Sequence, residues 1–362
     1  MKKILSLFII TILFVCGCGK MNVKDAINDF SKNVNNSKSY KLTGTMEINN
    51  GEETFTYSLE TYHLKDDYYK VILVNQTNNH EQVILKNKEG LYVVTPSLNK
   101  SFKFDSVWPD NSSQAYILSN LVKDLKSDSK ASLENTDKYY ILKSKVDYPN
   151  NEELKYQKIY FDKKMNIEKI EVLNKEDIVK IKVQLREVNL KAKLNEDDFL
   201  LEDLVDEEQM NSEDNKKEEK TENETTQENE KEQSCEGDTC PTKQSASLED
   251  IIYPLYIPAN TYLSDSEVIN NEDTNRVILT FSGDKNFVIV EEAAKASKEF
   301  EVIPVYGDPL MIASSLGALS TNSVNWYSDN INYYLVSSDL SSKEMISVAS
   351  SLNNSTTVAS IK

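Results

Sequence analysis

The feature that most constrains this fold is a run of strand-like segments between Ser39 and Trp108. In the first segment, residues 40–48, apolar and polar positions alternate. Its mostly apolar positions are Tyr40, Leu42, Gly44, Met46 and Ile48. A period of two is typical of a strand that buries one face and exposes the other. The pattern therefore predicts an antiparallel sheet with one apolar face.

Five more strands are predicted in this run, at 54–63, 68–75, 82–86, 91–95 and 100–105. Turn signals separate them. Asn49-Asn50-Gly51 and Asn87-Lys88-Glu89-Gly90 predict hairpins, because Asn and Gly accept the positive φ of tight turns. Pro96 should end the fifth strand, since proline cannot donate to a ladder. Trp108-Pro109 then interrupts the pattern.

Helical periodicity appears on either side of these strands. Residues 19–37 carry an apolar stripe of Val23, Ala26, Ile27, Phe30 and Val34. We expect this helix to pack on the sheet, the alternative being a helix at a membrane surface. From Ser112 onward, a second helix is predicted, capped by Asn111 or Ser112. Its stripe is Ile117, Leu118, Leu121, Val122 and Leu125, and residues 126–137 are expected to be a polar loop.

Strand patterns resume at 139–146, 156–162, 167–173 and 178–188. About ten antiparallel strands are too many for a flat sheet, because strands twist and large sheets curl. We therefore predict an α+β fold: a curved antiparallel half-barrel with covering helices. Apolar positions of its strands, together with Trp108 after the sixth strand, are candidates to line a groove. They are Leu42, Met46, Phe55, Tyr57, Val71, Leu73, Phe102 and Trp108.

The N-terminal residues 1–17 are predicted to be a signal peptide. Lys2 and Lys3 precede an apolar stretch of about a dozen residues, shorter than the roughly 20 that span a bilayer. The sequence Val15-Cys16-Gly17-Cys18 resembles a bacterial lipobox. That resemblance implies lipid attachment at Cys18 and a position at the extracytoplasmic face of the cell membrane. Diacylation would supply the two chains that stable anchoring requires.

The segment 202–247 is predicted to be a disordered acidic linker. Between Glu202 and Cys240 there are 16 Asp or Glu residues, four Lys and no aromatic residue. Such a composition cannot bury enough apolar surface to offset its ordering entropy. Cys235 and Cys240 could close a small disulfide loop in this compartment, or remain free thiols. A metal site is disfavoured, because no further ligands are suitably spaced.

The linker divides the chain into predicted domains at 18–201 and 248–362. The second is expected to be a small α+β domain. It has hairpin signals at 277–290 and 323–336 and a closing helix from Ser341, where Ser341 and Glu344 have the spacing of a capping box. Trp326 is expected to be in its core. The linker predicts that the two domains would be separately stable.

No arrangement of residues predicts catalysis. The two histidines, His63 and His80, lie outside any recognisable motif and are expected at a surface or in an edge strand. The many tyrosines could stack on sugars but are typical of strands. Trp108 could guard a groove mouth or simply pack. No cofactor or metal is expected, and a formal net charge of −18 disfavours nucleic acid as a partner.

Several segments together resemble the LolA-like superfamily, and most closely the sporulation and germination lipoproteins of spore-forming Gram-positive bacteria. The resemblance covers about residues 22–200 and part of the C-terminal region. Its segments are Tyr40-Lys-Leu-Thr-Gly-Thr-Met-Glu-Ile48, Asn79-His-Glu-Gln-Val-Ile-Leu-Lys86, Leu91 to Phe104 with Trp108-Pro109, Gln157-Lys-Ile-Tyr-Phe-Asp162, Val324-Asn-Trp326 and Tyr333-Tyr-Leu335.

This resemblance implies a half-barrel that holds an acyl chain or part of an envelope protein. In the germination branch of the family, the implied partner is a spore-cortex amidase. We expect a membrane-anchored binding or regulatory module. The alternative is a carrier of lipid or lipoprotein, but a shuttle must leave the membrane and an anchored chain does not.

Overall fold

The computed structural model describes residues 21–51, 53–65, 67–204, 251–270, 275–297 and 299–353. The predicted signal peptide, Cys18 and both Cys235 and Cys240 lie outside these ranges. So does the predicted linker from residue 205 onward. No helix in the described ranges is both long enough and apolar enough to cross a bilayer.

The first unit contains two helices and eleven strands. The helices are α1 (Val23–Asn36) and α2 (Leu118–Ser127). The strands are β1 (Ser39–Asn49), β2 (Thr54–Leu64), β3 (Tyr68–Asn75), β4 (Glu81–Asn87), β5 (Gly90–Thr95), β6 (Lys100–Phe104), β7 (Ser132–Asn135), β8 (Tyr140–Lys145), β9 (Tyr156–Phe161), β10 (Ile167–Leu173) and β11 (Val179–Asn189).

The second unit contains eight strands and a closing helix. The strands are β12 (Thr261–Asn270), β13 (Asn275–Gly283), β14 (Phe287–Ala293), β15 (Glu301–Val305), β16 (Asp308–Ile312), β17 (Ser315–Leu319), β18 (Ser323–Ser328) and β19 (Ile331–Val336). The helix α3 (Ser342–Ser350) begins with the predicted capping box: Ser341 and Glu344 each accept a hydrogen bond from the other's backbone N–H. Trp326 is buried in the core of this unit, as predicted.

The larger sheet has twelve strands in the order β15-β6-β5-β4-β3-β2-β1-β11-β10-β9-β8-β7. Its strands pair antiparallel except for β15. β1 lies in the middle of the sheet, where it pairs with β2 on one side and β11 on the other. Met46 of β1 therefore lies between Tyr57 of β2 and Val183 of β11. The predicted Asn49-Asn50-Gly51 turn joins β1 to β2.

One face of this sheet wraps around α1 and α2. A single buried cluster contains side chains from both helices and from strands on both sides of β1. Phe30 of α1 packs edge-on against Phe161 of β9, with ring centroids 5.0 Å apart. From β3, on the other side of β1, the hydroxyl of Tyr69 contacts that of Ser119 in α2 at 3.4 Å. The predicted fold class is therefore confirmed: an open antiparallel sheet bent around covering helices.

Two sequence-based predictions in this region were wrong. The second helix begins at Leu118, several residues after Ser112, and neither Asn111 nor Ser112 caps it. The side-chain amide of Asn120 donates to the carbonyls of Pro109 and Ser112 at 2.8 and 2.9 Å, which holds the preceding segment as a loop. In the predicted polar loop 126–137, the short strand β7 pairs with β8.

The outer face of β3–β5 has its own cover. Residues that follow β11 return across it and place Phe199 and Leu201 against Tyr68, Leu85 and other side chains of these strands. Two short 3₁₀ turns, Glu196–Phe199 and Glu202–Leu204, shape this segment. The predicted linker therefore overlaps three residues of ordered backbone, and Leu204 packs against this second cluster.

The two units share the larger sheet. β15, from the second unit, pairs parallel with β6, from the first, with Ile303 opposite Phe102. Only Tyr306 and Gly307 separate β15 from β16, which belongs to the seven-stranded sheet β12-β13-β14-β19-β18-β17-β16. Gly307 has φ +150°, and a Cβ there would lie 1.8 Å from the carbonyl oxygen of Leu319. A glycine thus permits the sharp passage from one sheet to the other.

Candidate functional site

The two units enclose a cavity of about 600 Å³ at their junction. The sheet contributes the ends of β1 and β11 and part of β4, and the loops 111–116 and 148–154 form one side. The β16–β17 hairpin and the outward face of α3 form the other side. A space of this size lies within the range of roughly 300–1,000 Å³ seen for small-molecule sites.

Apolar side chains from both units line much of this junction cavity. The first unit supplies Met46, Ile48, Ile84, Trp108, Leu154 and Ile181, and the second supplies Leu310, Met311, Leu316 and Ile346. Since neither unit alone provides the whole wall, the cavity depends on their association.

Trp108 is fixed in this wall. Its indole packs edge-on against Tyr69, with ring centroids 5.8 Å apart. Its backbone N–H donates to the hydroxyl of Ser106 at 3.1 Å, and its carbonyl accepts from the ammonium of Lys86 at 2.7 Å. The side chain is almost fully buried. Trp108 therefore packs in the core and also presents a surface to the cavity.

A polar group crosses the junction beside Trp108. The side-chain amide of Asn111 donates to Oδ1 of Asp308 at 2.7 Å, and the Ser106 hydroxyl donates to the same oxygen. The Oδ1 atom of Asn111 is buried and has no hydrogen-bond partner among the described residues. A buried acceptor without a donor is costly, so this atom favours a ligand that carries an N–H or O–H group.

Amide side chains continue along the cavity wall. They belong to Asn49, Asn50, Gln114, Asn150 and Asn151. The charged pair Lys180 and Glu153 adds a salt bridge of 2.8 Å at the same wall. The cavity thus combines an apolar interior with hydrogen-bonding groups of both kinds.

Two tyrosines, Tyr116 and Tyr148, belong to this wall, and Asp124 lies near Tyr148. Burial raises the pKa of Tyr116 and that of Tyr148, so both phenols stay neutral at physiological pH. Burial also raises the pKa of Asp124 to about 6, against a lowering contribution from a hydrogen bond with Ser113. The two phenols therefore support the cavity without adding charge, whereas the Asp124 carboxyl, with its pKa of about 6, is mostly ionised at neutral pH.

The predicted groove residues occupy different places. Leu42, Tyr57, Val71 and Leu73 are buried in the cluster around α1 and α2. Phe55 and Phe102 are partly buried against the same cluster. Met46 and Trp108 line the junction cavity. The helices thus cover most of the apolar face. One remaining space is at its edge with the second unit, and a smaller one of about 410 Å³ lies beside the helices, lined in part by Phe30, Leu118 and Leu185.

The prediction that both histidines lie at a surface or in an edge strand does not match the structure, in which both side chains are partly buried. His63 lies in the interior strand β2, between the rings of Tyr40 and Tyr69, at centroid distances of 4.8 and 4.5 Å. His80 packs 4.7 Å from the ring of Tyr327. Burial lowers the pKa of both imidazoles. In the part of the chain that the structure describes, no group of three or more His, Cys, Asp or Glu side chains is arranged for a metal ion.

Sequence reasoning missed the contribution of the second unit to the site. The residues it overlooked in that unit are Asp308, Leu310, Met311 and Ile346. Asn111 of the first unit was considered only as a helix cap. One usable signal was present. Met345, Val348, Ala349 and Leu352 follow helical spacing and form one apolar stripe in and after α3, and Ile346 lies outside this stripe. An apolar residue off the stripe indicates a second packing surface on the helix.

A curated relative extends over nearly the whole chain. The sporulation protein YdcC of Bacillus subtilis (strain 168) is 31% identical to this chain over 359 residues, which are 97% of this chain and 98% of the relative. The predicted resemblance to sporulation proteins is thereby confirmed. No protein-family model matches the chain.

Solved structures give weaker likenesses. A complex of MucA and MucB from Pseudomonas aeruginosa matches with a TM-score of 0.31 and 12% identity, covering 90% of this chain and 97% of that one. The complex of the GerS lipoprotein with the CwlD amidase of Clostridioides difficile matches with a TM-score of 0.29 and 16% identity, covering 49% of this chain and 99% of that one.

A lipoprotein-sorting protein domain of Vibrio parahaemolyticus matches with a TM-score of 0.30 and 12% identity, covering 51% of this chain and 97% of that one. The fold described above rests on the strand pairing itself.

Proposed function

Because this chain belongs to the family of the sporulation protein YdcC, we propose that it is an anchored binding module of the cell envelope during spore formation. In this proposal, Cys18 carries the lipid and the folded units lie outside the cytoplasm. The junction cavity receives an extended segment of an envelope protein. The activity is binding, with no chemical step.

The observation that carries the proposal is the composition of the junction cavity. An apolar interior suits a buried side chain, while the Asn111 acceptor and the neighbouring amides suit peptide N–H and C=O groups. A hydrocarbon chain would fill the apolar part but would leave the buried Asn111 oxygen without a donor. The cavity therefore supports a peptide occupant better than an acyl chain.

The positions of the covering helices also favour a peptide over an acyl chain as the occupant. α1 and α2 fill the face of the sheet where a long acyl chain would otherwise lie. Binding of a long acyl chain beneath these helices would require them to move away from a close-packed core, which would expose a large apolar area. Binding at the junction requires no such movement.

Native mass spectrometry of the protein purified from sporulating cells tests this function. The expected spectrum contains a polypeptide adduct and no lipid adduct. Ile346→Trp should remove the adduct by filling the cavity, whereas Val336→Trp, at an exposed position on β19, should retain it. A lipid adduct that Ile346→Trp abolishes would support a carrier instead. An amidase identified as the adduct would also fulfil the narrower prediction from the family resemblance.

Anchoring is tested separately by metabolic labelling with an alkyne-bearing palmitate. We expect label on the wild-type chain and on Cys16→Ser, and none on Cys18→Ser. Both cysteines lie in the same short segment, so Cys16→Ser is a matched control. Label that persists in Cys18→Ser would overturn this part of the proposal.

A further inference from the structure

The edge strand β12 is unusually exposed for a ten-residue strand. Apart from its first residue, Thr261, and Ile269, its residues are exposed. Among the described residues it pairs with β13 alone and ends the seven-stranded sheet. Alternate N–H and C=O groups of β12 therefore point away from the sheet, as on any free edge.

Exposed apolar side chains concentrate in β12 and in the segment that precedes it in the chain. Within the described residues, thirteen large hydrophobic side chains are exposed, and seven of them lie between Tyr253 and Val268. On β12 itself they are Tyr262, Leu263 and Val268, which are 61%, 38% and 52% exposed. Such a concentration typically marks an interaction surface.

The register of β12 with β13 assigns these side chains to two faces. Directly paired residues share a face of the sheet. Val268 is paired with Val277 and Leu263 with Phe281, both of which are buried under α3. The apolar layer of the core therefore continues onto β12, beyond the area that α3 covers.

The other face of β12 is acidic. Asp265 is paired with Thr280 and Glu267 with Ile278, and neither carboxylate has an ion-pair partner in the described ranges. A second copy pairing antiparallel about Ser266 would bring Asp265 opposite Glu267, and like charges in that position are destabilising. An anionic membrane would be repelled for the same reason.

We propose that β12 is a docking edge for an extended segment of a partner protein in which apolar residues alternate with Lys or Arg. The partner segment adds a strand to the seven-stranded sheet. Its apolar side chains extend the layer of Leu263 and Val268, and its basic side chains face Asp265 and Glu267. This edge is separate from the junction cavity, so either site can be lost without the other.

Peptide titration with amide hydrogen exchange tests this docking edge. The protein is the chain from Cys18 onward with Cys18→Ser, and the probe is an eight-residue peptide of alternating Val and Lys. We expect the peptide to slow exchange at alternate β12 amides by at least about tenfold. A peptide of alternating Val and Glu, with the same backbone but opposite charge, should give no protection.

Two controls separate strand addition from charge attraction. The Val-Lys peptide with alternate N-methylated residues keeps its charge but lacks backbone donors, and it should not protect β12. The double variant Asp265→Lys, Glu267→Lys should weaken binding by about tenfold. Glu134→Lys, Asp137→Lys makes the same change of charge at exposed positions on the first unit and should bind like the wild type.

Three results would overturn the proposal. The first is equal binding of the N-methylated peptide. The second is protection of β12 amides without any peptide, accompanied by a dimer in sedimentation. The third is tighter binding to phosphatidylglycerol vesicles than to the Val-Lys peptide, with protection of the same amides.

Discussion

Gln82 of β4 and Leu316 of β17 lie 234 positions apart in the chain and are joined by two hydrogen bonds. The side-chain amide of Gln82 donates to the carbonyl of Leu316 at 3.0 Å, and the backbone N–H of Leu316 donates back to Oε1 of Gln82 at 2.5 Å. Both bonds are buried. One glutamine thus fixes the β16–β17 hairpin of the second unit on the sheet of the first.

Gln82→Met should destabilise the folded chain by about 2 kcal/mol, because it leaves a buried N–H and C=O of Leu316 without partners. Methionine has nearly the same shape, so the loss reports the hydrogen bonds rather than packing. Urea unfolding measures it. Gln76→Met, at an exposed glutamine, is the control and should change the free energy of unfolding by less than about 0.5 kcal/mol. Equal effects of the two substitutions would show that the junction is not formed.

Cutting the chain between the units should leave them associated. The pairing of β15 with β6 and the Gln82 contact hold both pieces without a peptide connection. A specific protease site inserted after Thr226 allows the cut, and size-exclusion chromatography follows the products. The structure leads us to expect one peak that unfolds in one transition, in contrast to the separately stable domains expected from the linker composition. Two separate peaks would support the earlier expectation.

Leu42→Ala should cost about 2–5 kcal/mol, because Leu42 is buried against the covering helices and its truncation leaves a cavity. Ile178→Ala, at an exposed aliphatic residue in the turn that precedes β11, should cost less than about 0.5 kcal/mol. Chemical denaturation of both variants makes the comparison. A small loss for Leu42→Ala would mean that this face is an open groove.

Stability should fall as the pH rises through the titration of Glu291. This carboxyl is fully buried in β14, and its Oε2 accepts the backbone N–H of Ile252 at 3.1 Å. Burial raises its pKa from 4.5 to about 7. The folded chain therefore binds more protons than the unfolded chain between these values, and the stabilising contribution present below pH 4.5 is lost as the pH approaches and passes 7.

The shift in the pKa of Glu291 corresponds to a loss on the order of 3 kcal/mol across this interval. Unfolding free energies measured from pH 4.5 to 8 give the profile. Glu291→Gln should be flatter over the same range, because an amide does not titrate. Glu299→Gln, at an exposed glutamate, should follow the wild type. Identical profiles for wild type and Glu291→Gln would contradict this assignment.

Local patterns in the sequence were sufficient for most of the first sheet. The alternation in residues 40–48 and the Asn49-Asn50-Gly51 turn locate β1 and its hairpin with β2, and the residues of β3 and β10 match their predicted ranges. The alternation of buried and exposed side chains, and the residues that favour a tight turn, each involve only a few consecutive positions. Both can therefore be identified from the local sequence.

The strands that unite the two units carry no comparable signal. β15 contains Pro304, which argues against a strand in a local assessment, yet the structure places it at the edge of the larger sheet. Its partner β6 is distant in the chain, and no local pattern encodes that pairing. β12 was missed because its exposed residues include Ser264, Asp265 and Ser266, which interrupt any apolar alternation.

The site was predictable only in part. Met46, identified from strand periodicity, and Trp108, considered as a guard of a groove mouth, both line the junction cavity. Leu42 and Val71 have the same periodicity but lie under helices. Periodicity identifies which face is apolar, and tertiary packing decides what covers it.

Photo-cross-linking in sporulating cells tests most directly whether the junction cavity is the working surface. Benzoylphenylalanine replaces Asn150, a partly exposed residue of the cavity wall, or Val336, exposed on β19 outside it. We predict one predominant protein adduct from position 150 that is absent from position 336 and is lost when Gln82→Met disrupts the junction. Equal cross-linking from both positions, or lipid as the species captured at position 150, would contradict this role of the cavity.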